Sequence, residues 1–188
     1  QLKKPWIACN RSVKEGGRWR GDERRRIEEL FKAVELGADT VDIELGTENL
    51  GEVVERIKKR ARCLLSFHEL RGTPPLEELR GIVHRQLKAG ADICKVVTKA
   101  QSFEDNLTVL QLITEFPETR MISFAMGPLG LASRILSPLV GGDFTYASIE
   151  KGKESASGQI TVKELSKIYE MITRWKAGAY QVKQSFVG

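Results

Sequence analysis

The sequence has few cysteines and lacks the common patterns that bind a metal or a nucleotide phosphate. Its three cysteines, Cys9, Cys63 and Cys94, stand far apart in apolar segments and form no C-x-x-C pair. This distribution predicts buried thiols in a reducing compartment and argues against zinc. The stretch RSVKEGG at 11–17 matches neither G-x-G-x-x-G nor G-x-x-x-x-G-K-[ST], so a nucleotide cofactor is not predicted.

The sequence also lacks a long hydrophobic run. No apolar segment approaches the roughly 18 to 20 residues of a membrane span, and the first residues, QLKKPWIACN, contain no signal-peptide core. We therefore expect a soluble, cytoplasmic protein with no membrane partner.

The charge balance suits a small anionic partner better than a nucleic acid. Lys and Arg number 30 against 25 Asp and Glu, which gives a net charge of +5. Acidic residues interrupt the most basic stretch, 11–26, and no basic stripe with interleaved aromatic residues is found. No nucleic-acid partner is predicted.

The chain shows one domain over residues 1–188, built from alternating strand and helix patterns. Apolar residues with helical spacing lie between β-type runs, which is typical of a parallel α/β protein. The similar stretches ELGADTVDIE at 35–44 and KAGADICKVV at 88–97 favour a barrel over an open doubly wound sheet. The β-type runs are at 6–10, 40–45, 63–67, 92–98, 120–125 and 143–148.

The predicted fold class is α/β, a (βα)8 TIM-barrel type with six βα units evident. A closed barrel of this class has eight strands. The count predicts either that two strands escaped recognition or that the first two units precede residue 1 or come from a partner chain.

Charged residues interrupt the strands on the face predicted to point inward. Side chains alternate along a strand, so Asp42 and Glu44 share one face of the run 40–45. His68 follows the next run, and Lys95 lies in the middle of DICKVVT at 92–98. Buried charges of this kind are costly unless paired, and their clustering near the strand ends favours catalysis.

These residue types suggest imine chemistry without a cofactor. A buried lysine whose pKa is lowered by neighbouring cations becomes a nucleophile toward a carbonyl group, and a nearby histidine is suited to remove the adjacent proton. The alternative is structural: Lys95 extends to the rim, or Asp42 and Glu44 simply neutralise it. The second histidine, His84, has the pattern of a surface helix residue.

Six motifs in collinear order resemble the type I 3-dehydroquinate dehydratases. They cover residues 6 to about 172, and the resemblance implies a lyase of the shikimate pathway in aromatic amino-acid biosynthesis. The motifs are CNRSVKEGG (9–17), VDIEL (41–45), SFHELRGTP (66–74), GADICKVV (90–97), FAMGPLGLASR (124–134) and ESASGQITV (154–162).

The resemblance implies a role for each matching residue. Lys95 would form a Schiff base with 3-dehydroquinate, His68 would be the general acid and base, and Glu15 would orient His68. Arg11 and Arg134 would hold the substrate. Ser155 and Gln159 would belong to a loop that closes over it. The family also implies a homodimer that needs neither metal nor other cofactor.

The chain departs from the family pattern in three places. Ser157 stands where a proline is usual, the first two βα units have no counterpart, and the tail 173–188 lies outside the pattern. Two alternatives stay open at this point: another lysine-imine barrel of the aldolase or transaldolase type, and a degenerate barrel without catalysis.

Overall fold

The computed structural model describes residues 4–174, in which strands and helices alternate. Residues 175–188 of the tail predicted at 173–188 lie outside the described part. The strands are β1 (Ile7–Cys9), β2 (Thr40–Glu44), β3 (Arg62–His68), β4 (Ile93–Lys99) and β5 (Met121–Met126). The helices are α1 (Glu23–Glu35), α2 (Leu50–Lys58), α3 (Leu76–Lys88), α4 (Asp105–Glu115), α5 (Leu131–Leu136) and α6 (Val162–Arg174).

The described strands form one parallel sheet in the order β1-β2-β3-β4-β5. Each strand pairs with the next one along the chain, as successive βα units of a barrel do. The prediction of a parallel α/β fold of barrel type is confirmed, and the described sheet corresponds to part of such a barrel.

The prediction of a sixth strand at 143–148 is wrong. The Asp143 N–H donates to the Met121 carbonyl of β5 (2.7 Å), but no further ladder follows. Instead, the Ser148 N–H donates to the Ile160 carbonyl (2.9 Å), and the Val162 N–H donates to the Ser148 carbonyl (2.8 Å). The segment is extended, yet its backbone bonds at the far end to the start of α6.

Two glycines end helices in the repeated units that the sequence analysis recognised. Gly37 follows α1 with φ +93°, and Gly90 follows α3 with φ +92°. This left-handed conformation is the one that glycine adopts without a steric penalty. After Gly37 the chain turns directly into β2, and after Gly90 it turns directly into β4. The short helix α5 was not predicted from the sequence.

The core has two sides, separated by the sheet. On the outer side, residues such as Val41 and Ile43 pack against α1 and α2. On the inner side a smaller apolar cluster includes Leu64, Ile93 and Phe124. Asp42, Glu44 and Lys95 share this inner side, as the alternation predicted.

The cysteine prediction is only partly correct. Cys63 and Cys94 are buried free thiols, but Cys9 at the end of β1 is exposed. The predicted surface position of His84 on α3 is confirmed. Within residues 4–174, no helix has both the length and the apolarity that a membrane span requires.

A buried glutamine on α3 holds the two central strands together. The Gln86 side chain is fully buried, and its Nε2 atom donates to the carbonyl oxygens of Leu65 on β3 (3.0 Å) and Lys95 on β4 (2.9 Å). Because these bonds form away from water, their loss is costly. Gln86 therefore fixes the backbone from which the Lys95 side chain projects.

We expect Gln86→Leu to lower the free energy of unfolding by about 2 kcal/mol, because two buried hydrogen bonds disappear while the helix and its apolar packing stay. Urea unfolding followed by circular dichroism measures this change. Gln111→Leu, at an exposed position of α4, is the matched control and should change stability by less than about 0.5 kcal/mol. Equal stability of the two variants would contradict the assigned role of Gln86.

Candidate active site

The centre of the inner face is an ion pair between Lys95 on β4 and Asp42 on β2. Lys95 Nζ donates to Asp42 Oδ2 at 2.8 Å, and the two residues are 7 % and 2 % exposed. In the sheet register Lys95 lies beside Ser66 of β3, which separates it from β2. Lys95 therefore reaches across one strand to its partner and does not extend to the rim.

The protonation state of Lys95 differs from the sequence-based expectation. Burial alone would lower the pKa of Lys95, but the Asp42 carboxylate outweighs it and the pKa is raised. Burial alone would raise the pKa of Asp42, but Lys95 and Arg11 lower it below its usual range. The resting lysine is thus an ammonium ion, and it becomes a nucleophile only after losing a proton.

A second cation completes the environment of Asp42. Arg11 Nη2 donates to Asp42 Oδ1 (2.5 Å), and Ser66 Oγ donates to the same oxygen (2.7 Å). Arg11 Nη1 lies 2.6 Å from Ser66 Oγ and 3.6 Å from a Glu44 carboxylate oxygen. Both oxygens of Asp42 are therefore bonded, as a buried carboxylate requires.

The loop between β1 and α1 brings Arg11 and Glu15 to this interior. Gly16 has φ +82°, and a Cβ atom on Gly17 would lie 2.0 Å from the Arg11 carbonyl oxygen. Both glycines of the KEGG motif are therefore required by the backbone. The turn that they form places the Glu15 carboxylate within hydrogen-bond distance of His68, at the end of β3.

A buried arginine at the start of α1 anchors the same loop. Arg26 has no exposed surface; it donates to the Asn10 carbonyl (2.9 Å) and lies 3.1 Å from Glu44 Oε2. Glu44 Oε1 in turn accepts from the Ser12 N–H (2.8 Å). Glu44 thus links α1, β2 and the loop, which gives it the structural role expected of an interior carboxylate.

His68 and Glu15 form a hydrogen-bonded pair at the end of β3. His68 Nδ1 lies 2.8 Å from Glu15 Oε2, and both side chains are largely buried. Burial, together with the cations Lys95 and Arg11, lowers the pKa of His68 to about 2. Burial also raises the pKa of Glu15 to about 8, although Arg11 opposes this change. The neutral ring is therefore available to accept a proton.

Arg134 is buried on α5 with part of its guanidinium unpaired. It is 1 % exposed, and its Nε and Nη2 atoms have no hydrogen-bond partner among residues 4–174. The guanidinium carbon lies 4.2 Å from the centre of the Phe124 ring. Burial lowers the pKa of Arg134 to about 10. An unpaired buried guanidinium is suited to bind a carboxylate through two parallel bonds.

Ser155 and Gln159 are not brought into contact with the buried groups. They lie in the segment 149–160 and bond to each other, with the Ser155 N–H donating to Gln159 Oε1 at 2.8 Å. The segment touches the end of β5, where the Gly127 N–H donates to the Ser157 carbonyl (3.2 Å). Within the described residues, neither side chain hydrogen-bonds to Lys95, His68 or Arg134.

Three residues near the site were not singled out from the sequence as site residues. The sequence predicts only that Ser66 faces inward and that Arg26 belongs to a charged stretch. Tyr146 lies in the extended segment 143–148, after α5. Its ring lies over Lys95 Nζ, 4.6 Å from the ring centre. An aromatic residue in an apolar run gives no sequence signal that distinguishes a site residue from a core residue.

The arrangement combines the parts that imine chemistry needs. Lys95 and His68 project from neighbouring strands onto the same face, because Lys95 pairs with Ser66 and His68 is two residues further along β3. One group can add to a carbonyl, and the other can accept the adjacent proton. Arg134 provides a site for an anionic group.

Curated proteins similar to this chain include 3-dehydroquinate dehydratases. A 3-dehydroquinate dehydratase of Dehalococcoides mccartyi is 44 % identical over 171 residues, which are 91 % of this chain and 77 % of the relative. A 3-dehydroquinate dehydratase of Methanosarcina barkeri is 37 % identical over 175 residues, covering 89 % of this chain and 72 % of the relative.

Solved structures show the same similarity. A type I 3-dehydroquinate dehydratase from Clostridium difficile, crystallised with covalently modified comenic acid, superposes with a TM-score of 0.82 at 28 % identity; 91 % of this chain and 70 % of that chain are covered. The 3-dehydroquinate dehydratase from Geobacillus kaustophilus gives a TM-score of 0.83 at 29 % identity, covering 93 % and 69 %.

The model of the family described as Type I 3-dehydroquinase matches residues 1–175 of this chain. The resemblance seen in the six motifs is thereby confirmed over nearly the whole chain. The chain belongs to the type I 3-dehydroquinase family.

Proposed function

We propose that the chain converts 3-dehydroquinate to 3-dehydroshikimate and water through an imine on Lys95. This is the hydro-lyase activity for which its curated relatives are named, and it serves the shikimate pathway of aromatic amino-acid biosynthesis. The observation that carries the mechanism is the buried Lys95 ammonium on the same face as the His68–Glu15 pair.

The first step joins Lys95 to the ring ketone. The ammonium passes one proton to the carbonyl oxygen, and the freed lone pair of Nζ forms the C–N bond while the carbonyl electrons move to that oxygen. A second proton then moves from nitrogen to the same oxygen, which leaves as water, so a ketone and an ammonium become an iminium and water. Asp42 stays ionised and balances the positive charge before and after this exchange.

The second step removes the proton next to the former carbonyl. The iminium withdraws electrons, so neutral His68 can take this proton and leave an enamine. The neighbouring hydroxyl then departs as water with the proton that His68 returns. Glu15, bonded to Nδ1, holds the orientation of the His68 ring. Hydrolysis of the imine releases the product and restores Lys95.

Four polar residues are proposed to hold the substrate. Arg134, with two unpaired nitrogens, binds the carboxylate, and Arg11 contacts the ring substituents from its position beside Asp42. Ser155 and Gln159 exchange their mutual hydrogen bonds for bonds to the substrate when their segment closes. The mechanism draws only on side chains of this chain.

The two alternatives have weaker support. An aldolase-type barrel has no use for a histidine and a carboxylate paired as His68 and Glu15 are. A degenerate barrel would not need to retain an unpaired buried guanidinium at Arg134. The covalently modified comenic acid in the Clostridium difficile relative also supports covalent chemistry in this family.

We expect sodium borohydride, added in the presence of 3-dehydroquinate, to fix a stable adduct on the peptide that contains Lys95. Mass spectrometry of a proteolytic digest locates the modified residue. Lys95→Ala should abolish both the adduct and turnover. Lys99→Ala, at an exposed position of the same strand, is the matched control and should retain both.

Two results would contradict the lysine assignment. One is the absence of an adduct on a folded wild-type chain, and the other is an adduct that persists in Lys95→Ala. Retro-aldol products instead of 3-dehydroshikimate would favour the aldolase alternative, and product absorbance in the ultraviolet distinguishes the two reactions.

We expect His68→Ala to slow dehydration by about 10² to 10⁴-fold, the usual contribution of general acid–base catalysis. Imine formation does not require this side chain in the proposed mechanism, so borohydride should still trap the Lys95 adduct. Turnover near the wild-type rate in His68→Ala would exclude His68 as the base.

The charge state of His68 gives a prediction about pH. Because its pKa is lowered in the folded protein, the ring should stay neutral from pH 8 to pH 5, whereas the unfolded chain takes up a proton near pH 6.5. Acidification through that range therefore destabilises the fold. In Lys95→Met, which removes the nearest cation, the pKa of His68 should rise.

Proton NMR of the imidazole C–H resonances measures this titration, with exposed His84 as an internal resonance for comparison. A His68 resonance that titrates near pH 6.5 in the wild-type chain would contradict the proposed burial effect.

We also propose that the chain is a cytoplasmic homodimer, as the family resemblance implies. Phe103, Leu107 and Leu129 expose apolar side chains, and Asn106 holds the first and third together by donating to both of their carbonyls. A second copy would bury this surface. Sedimentation equilibrium should give twice the chain mass, and Leu107→Glu should shift the population toward monomer.

A further inference from the structure

Tyr146 carries a buried hydroxyl that lacks a well-formed hydrogen bond. Among residues 4–174, its Oη atom has no partner with hydrogen-bond geometry, although it is shielded from solvent. Burial raises the pKa of Tyr146, and the nearby Lys95 opposes this change. A buried polar atom without a partner usually costs about 1 to 3 kcal/mol. Such a hydroxyl is therefore suited to donate a hydrogen bond to a bound ligand.

The position of Tyr146 is fixed by its surroundings. Its ring makes edge contacts with Phe124 on β5 (6.3 Å between ring centres) and with Phe144 (5.5 Å). The same ring faces Lys95 Nζ at 4.6 Å, a distance at which a ring stabilises an ammonium ion. Tyr146 is thus held over the reacting nitrogen by two aromatic neighbours.

The other polar groups around Lys95 are already engaged. Asp42 is bonded to Lys95, Arg11 and Ser66, and Arg11 is committed to Asp42 and Ser66. Arg134, the proposed carboxylate site, lies over the Phe124 ring at 4.2 Å. The Tyr146 hydroxyl is therefore a neutral donor close to the lysine that takes part in none of these bonds.

We propose that Tyr146 is a further catalytic residue, whose hydroxyl donates a hydrogen bond to the ketone oxygen of the substrate while Lys95 adds to the carbonyl carbon. The inference rests on the proposed imine mechanism. The bond strengthens as the carbonyl electrons move to oxygen, and it holds this oxygen until it leaves as water. The phenol keeps its own proton, so the balance of the step is unchanged. Its ring stabilises the positive charge on nitrogen, first in the ammonium and then in the iminium.

The test compares two substitutions in the whole chain. Tyr146→Phe keeps the ring and removes the hydroxyl, so adduct formation with 3-dehydroquinate, quenched with borohydride at successive times, should slow about tenfold or more. Tyr146→Leu removes the ring as well. The ammonium then loses stabilisation, so the pH midpoint of adduct formation should fall in Tyr146→Leu and not in Tyr146→Phe.

Tyr169→Phe is the matched control, because it removes the hydroxyl of another tyrosine, one that donates to the Ile135 carbonyl (2.9 Å). It should lower thermal stability and leave the rate of adduct formation unchanged. A Tyr146→Phe chain that forms the adduct as fast as wild type overturns the role of the hydroxyl alone. A wild-type chain that forms no adduct overturns the proposed function and this inference with it.

Discussion

The ionised carboxylate of Asp42 is the group on which the interior depends. Two cations, Lys95 and Arg11, lie within hydrogen-bond distance of it, and Ser66 occupies the remaining position on one oxygen. Without this carboxylate, Lys95 would lose its ion-pair partner, and Arg11 would keep only the longer contacts of 3.6 Å to Glu15 and Glu44. Asp42 therefore makes a buried lysine compatible with a stable fold, and it also sets the charge that the lysine carries.

Charge and burial set the protonation states of Lys95 and His68, and a hydrogen bond sets the orientation of His68. Asp42 keeps Lys95 charged, whereas burial keeps His68 neutral, so Lys95 must give up protons before it can add to a carbonyl, while His68 can accept one directly. Glu15 reaches His68 from the loop after β1, which is shaped by Gly16 and Gly17. The backbone of one loop thus determines how the base is oriented.

The sequence predicts those parts of the fold that follow from periodicity. Alternation along the strands correctly placed Asp42 and Lys95 on the inner face, and helical spacing located α1 to α4. The sequence did not predict the raised pKa of Lys95, because that pKa depends on Asp42, which lies 53 positions away in the chain. The extended segment at 143–148 has a strand-like composition, yet its hydrogen bonds are decided by the position of α6. The roles assigned to the site residues from the family resemblance remain predictions.

Arg26 and Glu44 show how far the site extends from the substrate. Arg26 belongs to α1, but its guanidinium reaches Asn10 and Glu44, and Glu44 holds the backbone of Ser12. In this interior, each charged side chain contacts side chains of the opposite charge, from Lys95 through Asp42, Arg11 and Glu44 to Arg26. Loss of Glu44 would remove a partner of buried Arg26 and the acceptor of the Ser12 N–H, and breaking a buried ion pair typically costs about 3 to 5 kcal/mol. A substitution in α1 or at the end of β2 therefore also acts on the loop that carries Arg11 and Glu15.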